Sequence, residues 1–264
     1  MAQRISRAKR RIADAGPGFP APTPDQLETR LATVRDVLYL VFTEGSTASA
    51  GQSVSRVELS SEAIRLMRRL HADQADDGET AGLLALMLLT DARRPARTTA
   101  AGDLVPITEQ DRSRWDRAAI AEGVELVTAA LSTTAVRPFQ LQAAIAAVHD
   151  EAATAADTDW REILGLYDLL TLVAPGPMVT LNRVVALAMT RGPEAGLVAL
   201  DRAVTDPALV GHYRVDAVRG HLLELSGDRE AAREHYRRAA RGTLSLPEQR
   251  YLVSRAEREK GVGK

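Results

Sequence analysis

The run Gln110-Asp111-Arg112-Ser113-Arg114-Trp115-Asp116 holds the densest set of side chains in this sequence that could bind a partner. Guanidinium, indole and carboxylate groups can hold a protein segment or a small ligand through ion pairs, stacking and hydrogen bonds. The same groups can instead cap helices and satisfy buried backbone ends, and the sequence favours this second interpretation without excluding the first. Polar residues of neighbouring helices are expected to complete a groove around the run: Glu44, Asp91, Gln140, Gln142, His149, Asn182 and Arg183.

Metal binding and catalysis have little support in the sequence. His149-Asp150-Glu151 and Asp157-x-Asp159 contain ligand-type side chains, but the five histidines form no HxxxH or HExxH pair. An acidic helix end and a capping loop explain these residues more simply. No GxSxG motif and no Gly-Lys-Ser/Thr phosphate loop occur. We therefore expect no metal, no cofactor and no enzymatic activity.

The first fourteen residues are basic, although the net charge of the whole chain is −1. Any contact with nucleic acid is therefore expected in this segment. As a helix on DNA, its cations would contact phosphates, and its first polar residues would approach base edges. The alternative is a solvated basic tail. The residues predicted to bind DNA are Gln3, Arg4, Ser6, Arg7, Lys9, Arg10 and Arg11.

The composition favours closely packed helices. Of the 264 residues, 45% are hydrophobic but only 4% are aromatic, a mixture that suits helices better than a β-sandwich. Cysteine is absent, so disulfides and thiolate chemistry are excluded and a reducing cytoplasm is the expected location. The longest apolar run, Ala81 to Leu89, is too short to cross a bilayer, and no membrane partner is expected.

The spacing of apolar residues predicts an all-α protein, because no segment alternates with period two. Residues 15–22 are rich in proline and glycine and are predicted to be a linker. Residues 23–155 form a predicted helical section, which includes one helix that begins at Asp111 and another that is buried on all sides between Thr80 and Asp91. Asp159 is expected to cap the helix that contains Trp160.

Residues 157–260 contain two superposable helix-turn-helix units. Gly196, Leu200 and Ala203 of the first correspond to Ala232, Tyr236 and Ala239 of the second, at an offset of 36 residues. This offset is close to the ~34-residue tetratricopeptide repeat. Small residues let the helices of such a hairpin approach each other, and bulky residues fill the remaining space. The pattern predicts stacked tetratricopeptide-like repeats.

The N-terminal run Gln3-Arg4-Ile5-Ser6-Arg7-Ala8-Lys9-Arg10-Arg11-Ile12 resembles the end of region four of a sigma factor. Five later segments occur in the order seen in extracytoplasmic-function (ECF) sigma factors that end in a tetratricopeptide-like extension. The resemblance extends from Met1 to about Arg258. The segments are Tyr39–Gly45, Gly82–Leu89, Glu109–Asp116, Leu141–His149 and Leu181–Ala186.

This resemblance implies that residues 1–14 are the truncated end of a DNA-recognition helix and that the remainder is a regulatory extension. The implied partners are the sigma factor's own core and RNA polymerase bound to it. Promoter DNA would be bound only by an intact protein that also has region two and the rest of region four, which this chain lacks. A free-standing adaptor is the alternative. A small-molecule sensor is less favoured and would need a deep pocket near Trp115 and Arg183.

Overall fold

The computed structural model describes Arg7, Arg10, Arg11, residues 23–47 and residues 55–258. Contacts divide the chain into two compact units, Met1–Val37 and Leu38–Lys264. The described residues form eleven α-helices and no strand, which confirms the predicted all-α fold. The helices span Pro24–Ser46 (α1), Val57–Asp73 (α2), Gly78–Ala92 (α3), Arg117–Thr133 (α4), Pro138–Glu151 (α5), Trp160–Val173 (α6), Pro177–Arg191 (α7), Pro193–Ala203 (α8), Tyr213–Ser226 (α9), Arg229–Gly242 (α10) and Leu246–Arg258 (α11).

None of the described helices combines the length and apolar character that a membrane span requires. In the first unit, Arg7, Arg10 and Arg11 are helical and exposed to solvent. The predicted linker, residues 15–22, lies outside the described residues.

Aspartate side chains begin several of the helices. Asp159 accepts hydrogen bonds from two backbone N–H groups at the start of α6, as the sequence predicts. Asp116 does the same for α4, which therefore begins at Arg117 and not at Asp111 as the sequence suggested. A short 3₁₀ turn, Arg112–Arg114, takes the place of the expected first turn. Either aspartate is a good capping residue, so local sequence did not distinguish the two starting points.

Helix α3 is the centre of the second unit. Every residue from Gly78 to Leu89 is buried, as predicted for the apolar run. The helix packs against α2, α4 and α5. Its side chains join Phe42 of α1 and Trp115 of the loop that precedes α4 in one hydrophobic core. After α5, each helix packs against the helix that precedes it in the sequence.

Gly82 allows α3 and α5 to approach closely. A Cβ atom at this position would lie 2.7 Å from the backbone nitrogen of Gln140 and 2.9 Å from its Cα. The Gly82→Ala substitution is therefore expected to lower the free energy of unfolding by about 1–3 kcal/mol, because a backbone must shift. Gly165 in α6 is the matched control, since a Cβ there would meet no atom within 4 Å.

At Gly165, alanine is expected to raise stability by up to about 1 kcal/mol through its greater helix propensity. Urea unfolding of both variants measures the difference. Two alanine substitutions with the same effect would contradict the assigned close contact at Gly82.

The last helices form two hairpins, α7 with α8 and α9 with α10, and α11 packs on α10. Small residues lie where the helices approach: a Cβ on Gly196 would be 2.6 Å from the Ala188 Cβ. A Cβ on Gly220 would be 3.0 Å from the Tyr236 ring. Gly227 has φ +87° at the turn between α9 and α10, a conformation that favours glycine. The assignment of these hairpins as tetratricopeptide-like repeats stays a prediction.

Candidate functional site

The loop between α3 and α4 presents the polar run identified in the sequence. Asp111 caps the Arg112–Arg114 turn, because its side chain accepts hydrogen bonds from the backbone N–H (2.9 Å) and the hydroxyl (2.6 Å) of Ser113. Trp115 follows the turn and is only 3% exposed. The turn thus fixes a guanidinium and a buried indole next to each other.

Arg112 joins this loop to the C-terminus of α5. Its Nη1 donates hydrogen bonds to the carbonyl oxygens of His149 (2.7 Å) and Ala152 (2.6 Å). Its guanidinium lies 4.5 Å from the centre of the Trp115 ring. The last carbonyl groups of a helix lack intrahelical hydrogen-bond donors and carry partial negative charge. The Arg112 guanidinium therefore supplies both the missing hydrogen bonds and a compensating positive charge.

Asp150 lies beside Arg112 and Arg93 with a fully buried side chain. One carboxylate oxygen is 3.5 Å from Arg93 Nε, yet neither oxygen accepts a hydrogen bond from any described residue. Burial raises the pKa of Asp150 to about 6, although Arg93, Arg112 and Arg117 act in the opposite direction. The carboxylate is therefore a poorly solvated anion that depends on its neighbouring cations.

The adjacent His149 is also poorly solvated. Its ring makes an edge contact with Trp160, with ring centres 5.2 Å apart. Burial, together with the charges of Arg93 and Arg112, lowers the pKa of His149 to about 4. The histidine is neutral at pH 7. We call Arg93, Arg112, Trp115, His149 and Asp150 the polar clamp, because they hold the α3–α4 loop on the end of α5.

Other residues of the predicted groove have partners on different helices. Tyr39 Oη donates to Gln142 Oε1 (3.4 Å), which links α1 to α5. Asn182 of α7 is hydrogen-bonded to Tyr167 of α6. Both hydrogen bonds therefore join one helix to another.

Three further groove residues also have structural partners. The Arg183 Nε donates to Asp168 Oδ1 at 2.6 Å, an exposed pair of the kind that adds about 0–1 kcal/mol. Glu44 pairs with Arg56 at 3.3 Å. Gln110 Nε2 donates to the carbonyl oxygen of Val105 (3.0 Å). The structure therefore brings Arg112, Trp115 and His149 together, while Gln142, Asn182 and Arg183 serve the α1–α5 and α6–α7 contacts.

A cavity of about 670 Å³ lies at a different place in the second unit. It is lined by the end of α1, one face of α3, Leu104 of the α3–α4 loop, the start of α9 and the α10–α11 connection. None of the predicted groove residues lines it, and neither Trp115 nor Arg183 is among its walls. Sequence reasoning missed this cavity because its walls come from five separate parts of the chain.

The predicted DNA-binding residues are described only in part. Arg7, Arg10 and Arg11 are helical and exposed, whereas Gln3, Arg4, Ser6 and Lys9 lie outside the described residues. Among the residues that the structure describes, no group of three histidine, aspartate or glutamate side chains is placed to hold a metal ion.

The sequence is similar to proteins of unknown function along most of its length. Residues 30–131 match DUF6596, a family of unknown function. Over 257 residues, 96% of this chain, the sequence is 40% identical to an uncharacterized protein of Rhizobium meliloti (strain 1021). The chain spans 59% of the length of that relative. The DUF6596 match includes the central helix α3 and the part of the polar clamp that lies on the α3–α4 loop.

Proposed function

We propose that this chain is the regulatory, tetratricopeptide-like extension of an ECF sigma factor and not an enzyme. In this proposal it acts in the cytoplasm, through contacts with the sigma core or with RNA polymerase bound to that core. The observation that carries the proposal is the pair of stacked hairpins in residues 177–242, α7–α8 and α9–α10. Stacked helix pairs of this kind form extended surfaces that suit the binding of a helix or an extended segment.

The packing of α9 supports the repeat interpretation. This helix contacts both α7 and α8 of the preceding hairpin as well as its own partner α10. In repeat proteins each unit contacts its neighbours in this way, because a single hairpin cannot bury its apolar face. The small residue Gly196 of the first sequence unit lies where two helices approach each other, and so does Gly220 of α9.

The length of the relative is compatible with additional domains. About two fifths of the Rhizobium meliloti protein lies outside the length that this chain spans. In the proposal, an intact protein carries region two and the rest of region four, and residues 1–14 complete the DNA-recognition helix. Without those domains the basic segment is a solvated tail, because one short helix has too few contacts to hold a promoter.

Regulation by this extension requires that it bind one state of the sigma core better than another. A partner that contacts both states equally shifts no equilibrium. The extension would then set whether the sigma domains are competent to start transcription, which is the role that a separate anti-sigma protein has elsewhere. The surface of the stacked hairpins is the proposed contact.

The test begins with the mass of the native protein, captured from its source cells with an antibody against this chain. A species much heavier than 28.5 kDa is expected, since the proposal requires sigma domains in the same polypeptide. Deletion of residues 23–264 from that protein is then expected to change promoter-directed transcription or its regulation. A native species of 28.5 kDa, or unchanged transcription after the deletion, would overturn the proposal and favour the free-standing adaptor.

A further inference from the structure

The cavity of about 670 Å³ has the size and lining of a small-molecule site. Ligand pockets typically measure about 300–1,000 Å³ and combine apolar walls with a few polar groups. Here Phe42, Leu86 and Leu104 provide apolar surface, and Tyr39 and Tyr213 add aromatic rings. This lining suits a molecule with an apolar or aromatic body.

Arg214 is the cation in the wall of this cavity. Its Nε donates to Tyr213 Oη (3.2 Å) and its Nη1 lies 3.8 Å from Met178 Sδ. No carboxylate of the described residues lies within ion-pair distance of its guanidinium. Although burial acts to lower it, the pKa of Arg214 is raised by the hydrogen bond to Tyr213 and by the charges of Tyr213 and Glu248. The position of this side chain at the start of α9 leaves donor groups available for an anionic oxygen.

A second cation lies behind the wall. Arg97 Nη2 donates to the hydroxyl of Thr47 (2.5 Å), and Thr47 lines the cavity. Burial, together with the charge of Arg93, lowers the pKa of Arg97 to about 10, against the opposing effect of Asp91. Arg97 thus remains charged at pH 7, and no carboxylate of the described residues forms an ion pair with it. Because Thr47 accepts from Arg97, its own proton is free to be donated into the cavity.

Among the described residues that line the cavity, Glu248 supplies the carboxylate. Its Oε2 already accepts hydrogen bonds from Tyr213 Oη (3.0 Å) and Thr243 Oγ1 (2.6 Å). These donors stabilise the carboxylate charge inside the protein. Arg214 therefore lines the cavity and Arg97 lies behind its wall, while Glu248, the carboxylate among the described lining residues, is already hydrogen-bonded. This balance favours a ligand with a negative group.

We propose that this cavity binds an amphipathic organic anion. The apolar or aromatic body of the ligand fills the space between α1, α3 and the α10–α11 connection, and its single carboxylate, sulfonate or phosphate group reaches Arg214. The hydroxyl of Thr47 supplies a further donor, and Arg97 supplies long-range attraction. This site does not depend on the proposed role in transcription.

Two fluorescent probes that differ mainly in charge test the proposal on the full 264-residue chain. These are the anion 8-anilinonaphthalene-1-sulfonate and the neutral N-phenyl-1-naphthylamine. Both are expected to bind saturably at one site. Arg214→Gln is expected to weaken binding of the anionic probe by about tenfold, which is the effect of one lost charge-assisted hydrogen bond. The affinity of this variant for the neutral probe is expected to stay within about twofold of that of the unmodified chain.

Two further variants provide the controls. Arg237→Gln removes an exposed arginine of α10 that does not line the cavity, and it is expected to change neither affinity. Thr43→Trp places a large side chain in the cavity from α1 and is expected to weaken the binding of both probes. Circular dichroism verifies that this variant is folded. The proposal is overturned if binding does not saturate, if Arg214→Gln and Arg237→Gln give the same affinities, or if folded Thr43→Trp binds both probes as well as the unmodified chain.

Discussion

The Arg112→Ala substitution is expected to lower the free energy of unfolding by about 3 kcal/mol. It removes both hydrogen bonds to the carbonyl oxygens of His149 and Ala152 and leaves the end of α5 without its cation. It also removes the guanidinium from the face of Trp115. Asp150, whose side chain is fully buried, would lose one of the three arginines that stabilise its charge and keep Arg93 and Arg117. Each of these losses lowers the free energy of unfolding.

Arg114→Ala is the matched control for this substitution. Arg114 lies in the same 3₁₀ turn as Arg112, but its side chain is exposed and has no hydrogen-bonded partner among the described residues. Its loss is expected to change stability by less than about 0.5 kcal/mol. Guanidinium chloride unfolding followed by far-UV circular dichroism measures both variants. Equal effects of the two substitutions would show that the polar clamp does not stabilise the fold.

Much of the fold follows from periodicity and capping residues. The apolar run around α3 predicted a helix buried on all sides, and that helix is the centre of the core. Asp159 predicted the start of α6. Both signals are local, because they depend on residues within one or two turns of each other.

The start of α4 was predicted incorrectly for a physical reason. Asp111 and Asp116 can both cap a helix, and each does cap a turn. Trp115 also has apolar spacing that fits a continuous helix. Its indole is buried in the core from the loop, before α4 begins. Tertiary packing, which sequence periodicity does not contain, decided the boundary.

The candidate site was predicted only in part. Arg112, Trp115 and His149 were expected to lie near each other, and they do. Arg93 was not identified, because it stands in a polar stretch that gives no sign of its contact with α5. Asp150 was considered as a metal ligand, but its neighbours are cations. The cavity near Arg214 was beyond prediction, since no short segment contains more than a fraction of its wall.

The pH dependence of stability should reveal opposite contributions from His149 and Asp150. The pKa of His149 falls to about 4 in the folded protein, from an ordinary value of 6.5. The unfolded chain therefore binds a proton that the folded protein does not, and His149 reduces stability as pH falls from 6.5 toward 4. The pKa of Asp150 rises from 3.8 to about 6. The folded protein then binds the extra proton, so Asp150 reduces stability as pH rises from 4 toward 6.

Single substitutions should separate these two contributions, which nearly cancel in the unmodified protein. Relative to that protein, Asp150→Asn is expected to lose about 2 kcal/mol of stability as pH falls from 6 to 4, because only the His149 effect remains. His149→Gln is expected to gain about 2 kcal/mol over the same fall in pH, because only the Asp150 effect remains. Urea unfolding at each pH measures both differences, and the comparison with unmodified protein cancels the titration of all other groups. Differences of the same sign, or differences independent of pH, would mean that these two side chains are not desolvated at the end of α5. Opposite slopes would locate a buried, titratable contact where the α3–α4 loop meets α5.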